Sequence, residues 1–169
     1  DFRILKESKK RVYLTTTELQ QLHDTDLSAY RNLEKIRDVF LIGALTGLYF
    51  KEIYAISPDE WKKESLKLQN KNQNLLLPIH WTVKEILAKY EYEVPSLPTS
   101  QTFNRHLKQL GQLAKIDELC TVDSTSTSVP KYQLLTTQTA RISFFANAFL
   151  QQVPVFDLLQ LSGHLSEKA

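Results

Sequence analysis

Residues 134–164 contain two helical patterns joined at a proline, and this pair restricts the possible folds more than any other stretch. Thr136 and Thr137 suit the start of the first helix. The apolar stripe of this helix comprises Ala140, Phe144, Phe145 and Ala148. Pro154 suits the first turn of the second helix, which Gly163 is expected to end. Three residues of the second helix are predicted to face inward: Val155, Leu158 and Leu159.

Arg141 and His164 lie near the boundaries of these two helices. Helix N-terminal amides favour anions, so side chains at such boundaries can converge on one phosphate. The main hypothesis is that the two side chains meet over one spot able to hold a phosphate oxygen. The alternative is that Arg141 is a surface arginine and His164 a solvated residue at a helix end.

The length and composition predict one domain with a substantial apolar core. The chain has 169 residues, 42% of them hydrophobic, and no run of apolar residues long enough to span a membrane. Cys120 is the only cysteine, which excludes an internal disulfide and suits a reducing cytoplasm. The four histidines show no ligand spacing with acids or Cys120, so no metal and no cofactor is predicted. A net charge of +2 does not by itself indicate nucleic-acid binding.

Helical signals recur through the rest of the chain. Thr15–Glu18 forms a capping box that starts a short helix, and a stronger helix is predicted to end at Thr46–Gly47. Apolar residues at helical spacing predict further helices near residues 83–90 and 103–113.

Two short hairpins are also predicted. Leu66 and Leu68 alternate with polar residues, which is typical of a strand, and Leu75–Ile79 provides the returning strand. Residues 119–122 and 132–135 are expected to pair across a polar loop.

Three short sequence motifs together resemble the catalytic domain of tyrosine recombinases (the phage integrase family, Bacteroides-type integrases in particular). They are Thr46-Gly47-Leu48, Thr139-Ala140-Arg141 and Ser162-Gly163-His164, in this order and spacing. The resemblance covers nearly the whole chain. It implies a mainly α-helical fold with a small antiparallel β-sheet (α+β), the DNA breaking-rejoining fold.

The resemblance also implies a chemistry. In this family a tyrosine attacks the DNA phosphorus, two arginines hold the non-bridging oxygens, a lysine protonates the leaving oxygen and histidines assist. By this likeness Arg141 is the second arginine and His164 the late histidine. Lys71 is the best match to the lysine on the hairpin, with Lys67 in reserve; the alternative for Lys71 is a turn lysine in water.

Two positions depart from the family pattern. Tyr49 stands where the family has its first arginine, and Gln138 stands where it has the histidine of the His-x-x-Arg box. Tyrosine brings no permanent charge, and glutamine cannot transfer a proton. The family's nucleophilic tyrosine is expected beyond Ala169. The resemblance therefore does not decide whether the chain is an enzyme.

The likeness further predicts how the chain is organised and what it binds. Residues 1–13 are interpreted as a basic linker from a missing N-terminal DNA-clamping domain, and residues 14–169 as a catalytic-like domain truncated before the tyrosine. The expected partner is double-stranded DNA, with a possible homo-oligomer on it, no membrane, and a cytoplasmic location. The residues expected to contact DNA are Arg11, Lys67, Arg105 and Lys108.

Three functions follow from these observations. The first is a DNA-binding recombinase or integrase domain of a mobile element, whose degenerate site cleaves weakly or not at all. The second is an active recombinase whose tyrosine lies past residue 169 and whose missing charge near Tyr49 comes from another cation. The third is a helical protein-interaction module built on the same fold.

Overall fold

The computed structural model describes residues 11–70, 73–121 and 127–162. Its helices are α1 (Thr16–Asp24), α2 (Arg31–Thr46), α3 (Phe50–Ala55), α4 (Pro58–Trp61), α5 (Trp81–Ala88), α6 (Ser100–Leu113), α7 (Thr137–Leu150) and α8 (Val155–Ser162). Its strands are β1 (Ser65–Asn70), β2 (Gln73–Pro78), β3 (Leu119–Thr121) and β4 (Ser128–Pro130). The prediction of a mainly helical fold with small antiparallel sheets is confirmed.

Helix α2 is the central element, and α1, α3, α5, α6 and α7 all pack against it. Its middle segment, Val39–Ile42, is almost wholly buried on every side. A helix that is apolar around its whole circumference has to be enclosed by other elements, which explains why five helices surround it.

The close packing of α2 on α7 depends on a small residue. A Cβ atom added at Gly43 would lie 3.2 Å from the Cβ of Ala140 and 3.2 Å from a ring atom of Phe50. Both helices can therefore approach closely at this level. The contact brings Arg141, the next residue of α7, beside the C-terminal end of α2.

The helix starts and stops follow local sequence signals. Thr15 and Glu18 form the predicted capping box, in which each side chain accepts a hydrogen bond from the other residue's backbone N–H. Later in the chain, the backbone N–H of Thr136 donates to the hydroxyl of Thr139 at the start of α7 (3.0 Å). Both predicted helix starts are confirmed.

A buried acidic residue joins α2 to the end of α5. Asp38 is only 1% exposed and accepts hydrogen bonds from Arg37 Nε (3.0 Å), Lys89 Nζ and Tyr90 Oη (2.8 Å). Burial, followed by the bond to this carboxylate, raises the pKa of Tyr90. A buried charge held by three donors resists separation of the two helices.

The β1–β2 hairpin forms as predicted, with Leu66 opposite Leu77. Both leucines are buried, whereas Lys67, opposite Leu76, is exposed. This alternation follows from the two-residue period of a strand. It turns the lysine side of β1 away from the core.

The second hairpin differs from the prediction. Strand β3 pairs with β4, and the predicted partner, residues 132–135, lies instead in and just after a 3₁₀ turn (Lys131–Leu134). The turn is held by the buried Lys131, whose ammonium group lies 2.7 Å from Glu18. The cause is a contact between residues more than a hundred positions apart, which local alternation of residues does not reveal.

The orientation of α8 also differs from the prediction. Leu158 is buried, as expected, but Val155 and Leu159 are 54% and 42% exposed. Leu161 packs against the core instead. Because apolar residues occur on more than one side of this helix, its periodicity did not specify which side faces inward.

No helix within the described ranges is both long and apolar enough to cross a membrane.

Candidate nucleic-acid interface

Arg141, in the second turn of α7, reaches the ends of two other helices. Its Nη1 donates to the carbonyl oxygen of Gly47 after α2, and its Nη2 donates to the carbonyl oxygen of Ser162 at the end of α8 (2.9 Å). Terminal carbonyls of a helix lack intrahelical partners and carry partial negative charge. The guanidinium group therefore links α2, α7 and α8.

Two aromatic rings lie against the same guanidinium group. Its Cζ atom is 4.1 Å from the ring centroid of Tyr49 and 4.9 Å from that of Phe145. Contacts of this kind stabilise a cation while leaving its hydrogen-bond donors available. A guanidinium group has five N–H donors. Three of those in Arg141 have no acceptor among the described residues.

Tyr49 immediately precedes α3 and is 45% exposed. Its backbone N–H donates to Glu52 Oε2 (2.7 Å), which fixes the start of the helix. The phenol ring stands where the family resemblance implies an arginine. It covers Arg141 and adds no second positive charge.

Three cavities surround this pair of residues, and both Arg141 and Tyr49 line all three. The α7–α8 cavity has a volume of about 640 Å³, and Arg11 and Gln138 also line it. The α3–α7 cavity has a volume of about 480 Å³ and is also lined by Lys51 and Gln138.

The third, the hairpin cavity, lies between β1–β2 and α8 and has a volume of about 310 Å³. Lys67 and Glu52 line it together with Arg141. The fold therefore brings Lys67, from the first hairpin, to the same site as a residue more than seventy positions later.

Arg11 reaches the site through an extended segment that packs on α7. Val12 and Leu14 are buried. The backbone N–H of Leu14 donates to Ser143 Oγ (2.8 Å), and its carbonyl oxygen accepts from Asn147 Nδ2 (2.9 Å). Val12, which lies within the predicted linker, thus belongs to the apolar core.

The other predicted site residues are placed differently. Arg105 and Lys108 are exposed on α6 and line none of these three cavities. Their helix still contacts the start of α7, where Thr137 N–H donates to Asn104 Oδ1 (2.9 Å). Lys71 and His164 lie outside the described residues, so the predicted meeting of Arg141 and His164 stays a prediction.

The charge around Arg141 is mainly positive. Glu52 is the one acidic residue among the described residues that line the three cavities, and it accepts a backbone hydrogen bond. Elsewhere, lysines contact carboxylates: Lys62, Lys63, Lys84, Lys89 and Lys131. None of the four cations around the cavities contacts a carboxylate of a described residue: Arg11, Lys51, Lys67 and Arg141.

Lys51 is the member of this group that sequence reasoning missed. It lies two residues after Tyr49, beyond the Thr46-Gly47-Leu48 motif on which the resemblance rests. The distance in sequence from Tyr49 was the available signal, since the second residue of a helix lies close to the residue that precedes it.

Within the described residues, no group of three or more histidine, cysteine, aspartate or glutamate side chains is arranged to hold a metal ion.

Comparison with solved structures identifies the fold. The structure is similar to that of XerA recombinase, with a TM-score of 0.61 and 16% sequence identity. The match covers 98% of this chain and 58% of the XerA chain. No protein-family model and no curated protein matches the sequence. The chain therefore has the fold of a tyrosine recombinase and spans somewhat more than half the length of XerA.

Proposed function

We propose that this chain is a recombinase-like domain that binds the backbone of double-stranded DNA around Arg141 and Tyr49, with strand cleavage weak or lost. One observation carries the proposal. Arg11, Lys51 and Lys67 line cavities that also contain Arg141, and no described carboxylate neutralises any of the four. Unpaired cations lining adjacent cavities can contact several phosphates of one nucleic-acid backbone.

The rate of strand cleavage is expected to be low because of the two departures from the family pattern, Tyr49 and Gln138. Removal of one preorganised donor to a developing oxyanion lowers the rate by roughly 100- to 1000-fold. Tyr49 replaces a charged donor and Gln138 replaces a proton-transferring group. In addition, Arg141 already donates to two helix-end carbonyls. The three effects act on the same phosphate and leave little turnover.

Binding is expected to survive the same changes. DNA affinity sums many phosphate contacts, each of which releases counterions, so the loss of one contact weakens affinity without abolishing it. Of the phosphate contacts that the family resemblance predicts, the chain keeps Arg141 and the lysine side of the first hairpin. Integration of a mobile element and a cytoplasmic location are the corresponding biological setting that we propose.

A salt series tests DNA binding directly. Fluorescence anisotropy with a labelled duplex should give an affinity that falls steeply with salt. Lys67→Gln should reduce the slope of log affinity against log salt by about 1. Lys35→Gln removes the same charge from the other end of α2, roughly 18 Å along the helix from Gly47, and should leave the slope unchanged.

The experiment has two outcomes that oppose the proposal. One is no binding to any duplex at low salt. The other is an equal effect of Lys67→Gln and Lys35→Gln, which would indicate a response to net charge alone.

A second candidate, a protein-interaction module, is favoured by one feature. Apolar side chains around the α7–α8 junction are more than 40% exposed: Phe149, Leu150, Val155, Phe156 and Leu159. Large exposed apolar patches often mark binding sites for other proteins. An absence of DNA binding in the salt series would favour this candidate. The same surface is also available for assembly of several copies on DNA.

A further inference from the structure

We infer that Lys51 supplies the positive charge that Tyr49 does not, and that it holds a DNA phosphate together with Arg141 in the α3–α7 cavity. The inference rests on the proposed DNA binding and names a further residue of that site. It assigns Lys51 a contact with the backbone phosphate, with no role in proton transfer.

The position of Lys51 is the first observation. It lies in the first turn of α3, and it lines the α3–α7 cavity with Arg141 from α7. The two cations thus border one cavity from two different helices. A phosphate in that cavity would be contacted from both, as two arginines would contact it in the family pattern.

The absence of a competing acid is the second observation. Glu52, the adjacent residue, accepts the backbone N–H of Tyr49 (2.7 Å). No carboxylate of the described residues contacts Lys51, whereas Lys62 and Lys63 contact Asp59 and Glu60 one turn earlier. An exposed lysine without a carboxylate partner is available for an external anion.

The polar lining of the cavity is the third observation. Ser100, Thr137 and Gln138 line it with the two cations. Hydroxyl and amide groups commonly donate to phosphate oxygens in protein–DNA complexes. Leu48 and Phe50 complete an apolar wall. A cavity of about 480 Å³ has room for a phosphodiester group with accompanying water.

The chemistry of lysine limits what this replacement can do. An ammonium group is a compact point charge on a flexible stem, and it lacks the planar fork with which arginine contacts two oxygens at once. Lys51 should therefore restore attraction for the phosphate without restoring the fixed geometry that cleavage requires. This combination agrees with a domain that binds DNA and cleaves it poorly.

The test compares wild-type protein with Lys51→Gln, Lys51→Arg and the control Lys62→Gln in the duplex salt series. Release of about 0.9 counterion per phosphate contact gives a loss for Lys51→Gln on the order of tenfold at about 50 mM salt and about threefold at about 200 mM. Lys51→Arg should bind like wild type. Lys62→Gln removes an equal charge from a paired, exposed lysine and should have little effect.

A second readout locates the effect. In NMR titrations with the same duplex, the amide signals of Ser100 and Gln138 should shift in wild type and shift much less in Lys51→Gln. Equal affinity, equal salt dependence and equal shifts for wild type and Lys51→Gln would overturn the inference while leaving DNA binding intact. Failure of the wild type to bind any duplex would instead overturn the proposed function.

Discussion

Gly47 ends α2 in a backbone conformation that few other residues adopt. Its φ angle is +71°, in the left-handed region, where a side chain costs about 1–2 kcal/mol. An added Cβ would also overlap the ring of Phe144, with two ring carbons at 2.9 Å. The Gly47 carbonyl accepts a hydrogen bond from Arg141. The backbone conformation of Gly47 therefore also determines where Arg141 makes this bond.

Gly47→Ala should lower the free energy of unfolding by more than about 2 kcal/mol, because backbone strain and the overlap with Phe144 add together. Chemical denaturation of the single variants and of Gly47→Ala combined with Phe144→Ala measures the coupling. The double variant should lose less than the sum of the single losses. Strictly additive losses would contradict the overlap.

His80 gives the fold a pH-dependent component. Its Nδ1 accepts a hydrogen bond from the backbone N–H of Thr82 (3.2 Å) at the start of α5. Burial lowers the pKa of His80. The folded state therefore binds this proton less readily than the unfolded state. The contribution to stability is complete above the unfolded pKa of about 6.5 and is lost as pH falls below that value.

His80→Asn should weaken this pH dependence, because an asparagine oxygen can accept the same hydrogen bond at any pH in this range. Denaturation at a series of pH values from 7 to about 5 should show a steeper loss of stability for wild type than for the variant. Parallel curves would show that the cap does not titrate.

At the scale of single elements, α8 is only partly enclosed, with Leu158 and Gln160 as its buried residues. Leu158 and Leu159 are neighbours in sequence, yet one is 8% and the other 42% exposed. The pair provides a matched test of how the helix is oriented.

Leu158→Ala should lower the free energy of unfolding by about 2 kcal/mol or more, as expected for a buried leucine. Leu159→Ala should cost less than about 1 kcal/mol, since much of its surface is already in water. Thermal and chemical denaturation of both variants measure the difference. Similar losses would indicate that Leu159 faces the core, as the sequence pattern first suggested.

Sequence signals predicted elements well where their causes are local. The capping box at Thr15, the glycine after α2 and the alternation around Leu66 each operate within a few residues. The partner of β3 was predicted wrongly because burial of Lys131 against Glu18 depends on distant segments. The exposed side of α8 was also predicted wrongly, because its apolar residues are not confined to one face.

At the scale of the whole molecule, the fold follows from the resemblance, but the composition of the site depends on packing. Arg11, Lys67 and Arg141 were singled out from sequence for separate reasons, and tertiary structure brings them around Tyr49. Lys51 escaped notice because no single motif contains the α3–α7 cavity, to which α3, α6 and α7 all contribute. The short distance in sequence between Tyr49 and Lys51 was the one linear signal, and it does not indicate that α6 and α7 line the same cavity.

The attachment of one guanidinium group to the ends of two helices has a consequence for how such chains change over time. A related protein without catalytic activity would still need a cation at position 141 to hold the C-terminal ends of α2 and α8 together. Retention of that arginine is therefore a poor gauge of enzymatic competence. In the site that we propose, positions 49 and 138 are better indicators, because neither side chain donates to a helix-end carbonyl within the described chain and both can be substituted without removing such a bond.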